Sequence, residues 1–243
     1  MLTNREISQS SSAVYVDEGL RQYMMRVYNY MAGGLCITGL VAFLIRSNPT
    51  LAGLFFTLSP TGAFGLSALG WLALFSPFIM VFAFGWVIAR GSLRQVQGTF
   101  WLFAAVMGIA IMPTVFAYTG ASVTRIFLIT AAMFGGMSLY GYTTHRDLTS
   151  MGSFLRMGVW GIIIAMLVNF FLKSPGLYYA LSFLSVIAFT GLTAYDTQTI
   201  RNIYAESDTA DSAGRKAVAG ALSLYMDFIN IFLALLNLFG DRR

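Results

Sequence analysis

Two aspartates stand where a carboxylate is costly. Asp196, in "GLTAYDTQTI", closes a long apolar run that begins near "GLYYALSFLSVIAFT", and Asp227 sits inside "LSLYMDFINIFLALL". Of the ten acidic residues these are the two that fall within apolar runs; Glu6, Asp17, Glu18, Asp147, Glu206, Asp208, Asp211 and Asp241 lie in a polar tail, loops or the chain end. An acidic side chain at membrane depth costs about 2.5–3.5 kcal/mol on insertion scales, so two on consecutive helices point to function. The polar stretch "AESDTADSAGR", 205–215, separates the runs, with Asp196 nine positions before it and Asp227 twelve after it. In an antiparallel helix pair the offset is about 4.5 Å at helical rise, so both carboxylates are expected at nearly one level, facing each other.

Helical spacing adds polar neighbours. Thr193 and Thr199 lie three residues either side of Asp196, while Ser223, Asn230 and Asn237 share the Asp227 face. Two carboxylates in contact at low dielectric do not both ionise cheaply, so such a pair tends to share a proton and to respond to pH. Its natural counter-ligand is a cation, a proton or possible calcium, because hard ions take oxygen ligands. An arginine is the other option, and Arg90, at the inner end of the second apolar run, is the possible latch. Blander readings stay open: Asp196 marking a helix end at the headgroups, Arg90 orienting the chain there, or the pair simply tying two helices together.

The elements that must position these residues are membrane helices. The chain of 243 residues is 57% hydrophobic and 10% charged, with a mean hydropathy of +0.71. A helix crosses a bilayer with roughly 20 apolar residues, and apolar windows fall near 27–45, 68–88, 98–118, 125–143, 154–172, 177–199 and 218–239. A membrane β-barrel would instead need strands of about ten residues with alternating polarity. The expected fold is therefore an all-α seven-helix bundle over 21–243 behind a polar cytoplasmic tail, 1–20. The first apolar run starts only after Arg26, so no cleavable signal peptide is expected.

Basic residues set the orientation. With the N-terminus cytoplasmic, ten Lys and Arg fall inside against five outside, as the positive-inside rule favours. The basic "GDRR" end then lies outside, unless the last segment dips in and returns. The net charge of +5 is scattered, which argues against nucleic acid. Cys36 lies in an apolar run and reads as packing, and His145 in "TTHRD" reads as a solvated loop residue. The first inter-span loop, with Pro49 and Pro60, is expected along the interface as an amphipathic segment or cap. Pro77 and Pro113 are expected to kink spans two and three. The small pairs Ala131/Gly135, Ala132/Gly136 and Gly161/Ala165 read as tight helix packing.

"GLTAYDTQTI" together with "LSLYMDFINIFLALLNLFG" resembles the signature of the Bax-inhibitor-motif family, and "MFGGMSLYGYTTHRDLTSMGSF" is similar to the span-four region of its bacterial branch. The resemblance implies a seven-helix fold whose last helix is central, surrounded by the others, in a bacterial inner membrane. It also implies a pH-sensitive calcium leak in which a di-aspartyl pair, here Asp196 and Asp227, senses protons, and in which an arginine of the second helix latches the pair in some members. Some leak-competent members carry a carboxylate in the second helix, and "LALFSPFIMVFAFGWVI" has none. The eukaryotic suppression of cell death does not carry over to a bacterial-type chain.

Two other functions compete. Intramembrane aspartyl proteases pair Tyr-Asp with Gly-x-Gly-Asp; "AYD" fits the first, "LYMD" lacks the glycines of the second, and an enzyme is not expected. A non-conducting interaction protein that modulates turnover of membrane proteins is the stronger alternative. The expected partners are membrane lipid, calcium or protons, and membrane proteins of unspecified kind; no organic cofactor is expected.

Overall fold

The computed structural model describes residues 4–58 and 64–242, with side chains for 18–57 and 65–242. Helix α1 runs Asn4–Ser47, followed by the short α2 (Pro49–Phe55) and strands β1 (Phe56–Leu58) and β2 (Phe64–Leu66). Then come α3 (Ala68–Arg90), α4 (Leu93–Ala110), α5 (Met112–Ala117), α6 (Gly120–Thr143), α7 (Thr149–Leu172), α8 (Pro175–Asn202) and α9 (Ala210–Phe239). Seven stretches are long and apolar enough to cross a membrane, α4 and α5 together forming one of them. The chain is an all-α integral membrane protein.

All seven expected spans are present, and most extend further than their apolar windows. Apolar counting stops at polar residues, yet these cap the helices: Ser67, Thr119, Ser174 and Thr209 each accept a backbone N–H of the first turn. The polar stretch before the first span is continuous with it, as part of the single helix from Asn4. The first inter-span loop is a helical turn and a two-stranded antiparallel ribbon, with Phe56 opposite Leu66; Pro60 lies outside the described residues. Pro113 breaks span three at Ile111, since a proline in the first turn of α5 cannot continue the ladder of α4. Pro77 is accommodated inside an unbroken α3.

Helix α9 is the centre of the bundle and the most buried of the spans. It packs against α8, α1, α6 and α4, and its side chains Tyr225, Phe228 and Phe232 form the middle of the main apolar cluster. The two ends of α9 are fastened to opposite ends of the bundle. Near its start, Asp211 accepts from Leu93 N–H at 3.3 Å. Past its end, Asp241 N–H donates to Ser122 at 2.9 Å while the Asp241 carboxylate pairs with Arg125 at 3.0 Å.

Small residues do their packing elsewhere than expected. Ala131, Ala132, Gly135, Gly136 and Gly161 are exposed, and a Cβ on any of those three glycines would meet nothing within 4 Å. Ala165 is half-buried. In lipid both faces of a helix are apolar, so spacing alone does not tell the inward face from the outward one. Cys36 is likewise exposed, not packed. His145 is exposed in its loop.

Candidate functional site

Local chemistry fixes the register of α8 on α9. The connecting loop is held by Lys216, whose Nζ donates to both oxygens of Asp208, at 2.8 and 2.7 Å, and to the Ile203 carbonyl at 3.0 Å. The ammonium of Lys216 holds the Asp208 carboxyl below its usual range, with further help from Ala205 N–H and Ser212. One turn into the hairpin, a Cβ on Gly220 would sit only 2.9 Å from Ile200 Cγ1, so the two helices approach closely there.

That register sets the carboxylates. Asp227 is 4% exposed and its Oδ2 has no hydrogen-bond partner among the described residues, a rare condition for a buried polar atom. Asp196 is half-buried on the neighbouring helix, close enough for its charge to act on Asp227. The side chains expected around the pair divide. Thr193 is buried, but its hydroxyl donates back to the Phe189 carbonyl at 2.8 Å. Asn230 donates to the Met226 carbonyl at 2.8 Å, and Asn237 accepts from Tyr118 at 3.1 Å near the chain end. Thr199 is half-buried, and Ser223, expected on the inward stripe, is exposed.

The structure does not bring Arg90 to the pair. Arg90 is exposed, its guanidinium 6.0 Å from the Trp86 ring centre, and no ion pair or hydrogen bond joins it to either aspartate. The cation beside the pair is Arg156 of α7, whose charge acts on Asp196. Its Nη2 donates to the Tyr195 hydroxyl at 2.6 Å, and its guanidinium lies 4.7 Å from that ring's centre. Two glycines make room for this arrangement: the space of a Cβ on Gly152 is filled by the Tyr195 ring, and that on Gly141 by the Ala194 backbone.

Further polar residues around Asp196 come from the same short stretch. Thr197 shares a hydrogen bond of 3.0 Å with Ser138 of α6, which shares one of 2.6 Å with Tyr28 of α1. Gln198 clasps the α6–α7 loop: its Oε1 accepts from Leu148 N–H at 2.9 Å and its Nε2 donates to the Arg146 carbonyl at 2.7 Å. Arg201 adds a bond to the Tyr142 carbonyl. A helical wheel drawn for one inward face passes over Tyr195, Thr197 and Gln198. Helix α8 has protein on several sides, touching α6, α7 and α9, so almost every residue of "LTAYDTQTI" meets a neighbour. The run of six polar or hydroxylated residues at 193 and 195–199 was the available signal.

No cluster of three or more His, Cys, Asp or Glu side chains exists among the described residues. Two carboxylates supply at most four of the 6–8 oxygens that calcium takes, and amide, carbonyl or water oxygens would have to complete its shell. What the arrangement can do is hold, share or release a proton, and attract a passing cation.

A polytopic helical membrane protein with a central last helix and a buried carboxylate beside a second one is the class that fold and site define. Residues 20–243 match the family described as "Inhibitor of apoptosis-promoting Bax1". The chain belongs to that Bax inhibitor family. It is 40% identical to the inner membrane protein YbhL of Escherichia coli K12 over 97% of this chain and 98% of that protein. A Caulobacter vibrioides protein bearing the name "Uncharacterized protein" is 39% identical, over 98% of this chain and 96% of its own length. An "Uncharacterized membrane protein" of Streptococcus pyogenes is 32% identical over 92% and 94%.

Proposed function

We propose that the chain is a cation leak in a bacterial inner membrane, governed by the proton occupancy of Asp196 and Asp227, and that it is not an enzyme. The observation that carries this reading is Asp227 itself: a carboxylate enclosed in the central helix, with one oxygen free of hydrogen bonds and a second carboxylate in electrostatic reach. A group whose only role was to tie two helices would be expected to spend both oxygens on hydrogen bonds. Calcium is the proposed permeant ion, in transit and not as a resident ligand. The inner-membrane location follows the name of the Escherichia coli relative, and a cytoplasmic N-terminus follows the distribution of Lys and Arg.

The test is flux. Purified protein in vesicles loaded with a calcium indicator releases or admits calcium faster than empty vesicles; equal rates with and without protein sink the leak.

One observation favours a second reading, a non-conducting partner of other membrane proteins. The α6 face of Ala131, Ala132, Gly135 and Gly136 is open, a form that lets another helix approach closely. Under that reading vesicles show no flux, and the aspartates matter only to stability.

A further inference from the structure

Arg90 makes no ion pair among the described residues, and it stands at the mouth of a cleft. The cleft, of about 440 Å³, runs between the last turns of α3 and the first turns of α4, with Trp86, Arg90, Gln95, Gly98, Thr99 and Leu102 among its lining. None of its lining residues is acidic. Arg94, in the first turn of α4, lies outside that lining; it is also exposed and makes no ion pair among the described residues. Asp211, which meets the start of α4, is engaged by Arg215 at 3.0 Å and by Leu93 N–H. The charge at the cleft is therefore positive, with no acidic counterpart among the described residues.

Shape and depth complete the description. Arg90 is the last residue of α3, and Leu93 the first of α4, so the basic end lies where two spans leave the apolar layer. Beside and beyond the arginine the lining is apolar: Trp86 is 61% and Leu102 58% exposed. Tryptophan favours the headgroup level of a bilayer, and arginine binds phosphate through a planar fork of donors. Gly98 keeps the floor open, since a Cβ there would meet nothing within 4 Å.

We propose that this cleft is a binding site for one phospholipid of the surrounding bilayer, with the phosphate of an anionic headgroup on Arg90 and an acyl chain along Trp86 and Leu102. A positive, acid-free end joined to an apolar trough fits an amphiphile with a negative head. A free phosphate would use only the basic part of the site, and a protein segment would leave Arg90 without a specified counter-charge. The site is separate from the aspartate pair, so it stands whether or not the chain conducts.

The experiment is native mass spectrometry of the full-length protein with added phosphatidylglycerol, phosphatidylcholine or inorganic phosphate. The parent is expected to retain phosphatidylglycerol in preference to phosphatidylcholine. An arginine near a membrane surface contributes about 1 kcal/mol toward anionic lipid, so Arg90→Gln is expected to lower retention about fivefold. Gly98→Leu, which fills the trough from a position with open space, lowers it as well; Lys173→Gln, an exposed residue at the far end of α7, leaves it unchanged. Equal retention of the two lipids, or parental retention by both cleft variants while their melting temperatures match the parent, overturns the proposal. So does Arg90-dependent binding of inorganic phosphate without any preference among lipids.

Discussion

Asp227 on the central helix is enclosed with one oxygen unpartnered, and the charge that bears on it is that of Asp196 on the preceding helix. The two come within electrostatic reach because the α8–α9 hairpin is short, capped at Thr209 and clamped by Lys216. The pairing is thus a consequence of loop chemistry as much as of the aspartates themselves.

Two glycines of one helix should behave oppositely. The Cβ position of Gly152 is occupied by the Tyr195 ring, and that of Gly161 is open. Overpacking costs about 1–3 kcal/mol, so Gly152→Val should lower the melting temperature in detergent and disturb the Arg156–Tyr195 contact. Gly161→Ala should leave it unchanged or slightly raised. Equal effects would mean that α7 does not lean on α8 at Gly152.

Gln198 is the clasp of the α6–α7 loop. Gln198→Leu removes two hydrogen bonds and leaves Leu148 N–H without its acceptor, a loss of about 1–3 kcal/mol for a buried unsatisfied group. Hydrogen exchange should quicken around Leu148, while the C-terminal half of α9 keeps its protection. Unchanged exchange at the loop would contradict the clasp.

The Lys216–Asp208 clamp has a defined pH dependence. Lys216 holds the Asp208 carboxyl below its ordinary range, so the folded state binds that proton less readily than the unfolded chain. The stabilisation is therefore present above the ordinary aspartate pKa of about 3.9 and is lost as pH falls through the lowered folded value. Asp208→Asn should melt earlier than the parent at neutral pH, and the difference should close in strong acid. A difference that persists there would mean the clamp is not ionic.

The spans were legible because a bilayer demands continuous apolar runs, and the nearness of Asp196 to Asp227 was legible because a short loop makes α8 and α9 antiparallel neighbours. Which face of a span looks inward was not. Ala131 and Gly135 share the spacing of a packing motif yet look outward, whereas Gly141 and Gly152, in no such motif, meet α8. Ser223 failed for the same reason, since its spacing to Asp227 does not report whether protein covers it. Arg90 could be placed at the end of α3 but not across the bundle, and Arg156 is revealed as the cation beside Asp196 only by the packing of α7 on α8.

The most direct measurement of the central claim is calcium flux in proteoliposomes from about pH 6 to about pH 8, comparing the parent with Asp227→Asn and Asp196→Asn. The account predicts a parental leak that changes with pH and variants whose leak, whatever its size, no longer does. A parental leak indifferent to pH, or a pH response that survives in both variants, would contradict it.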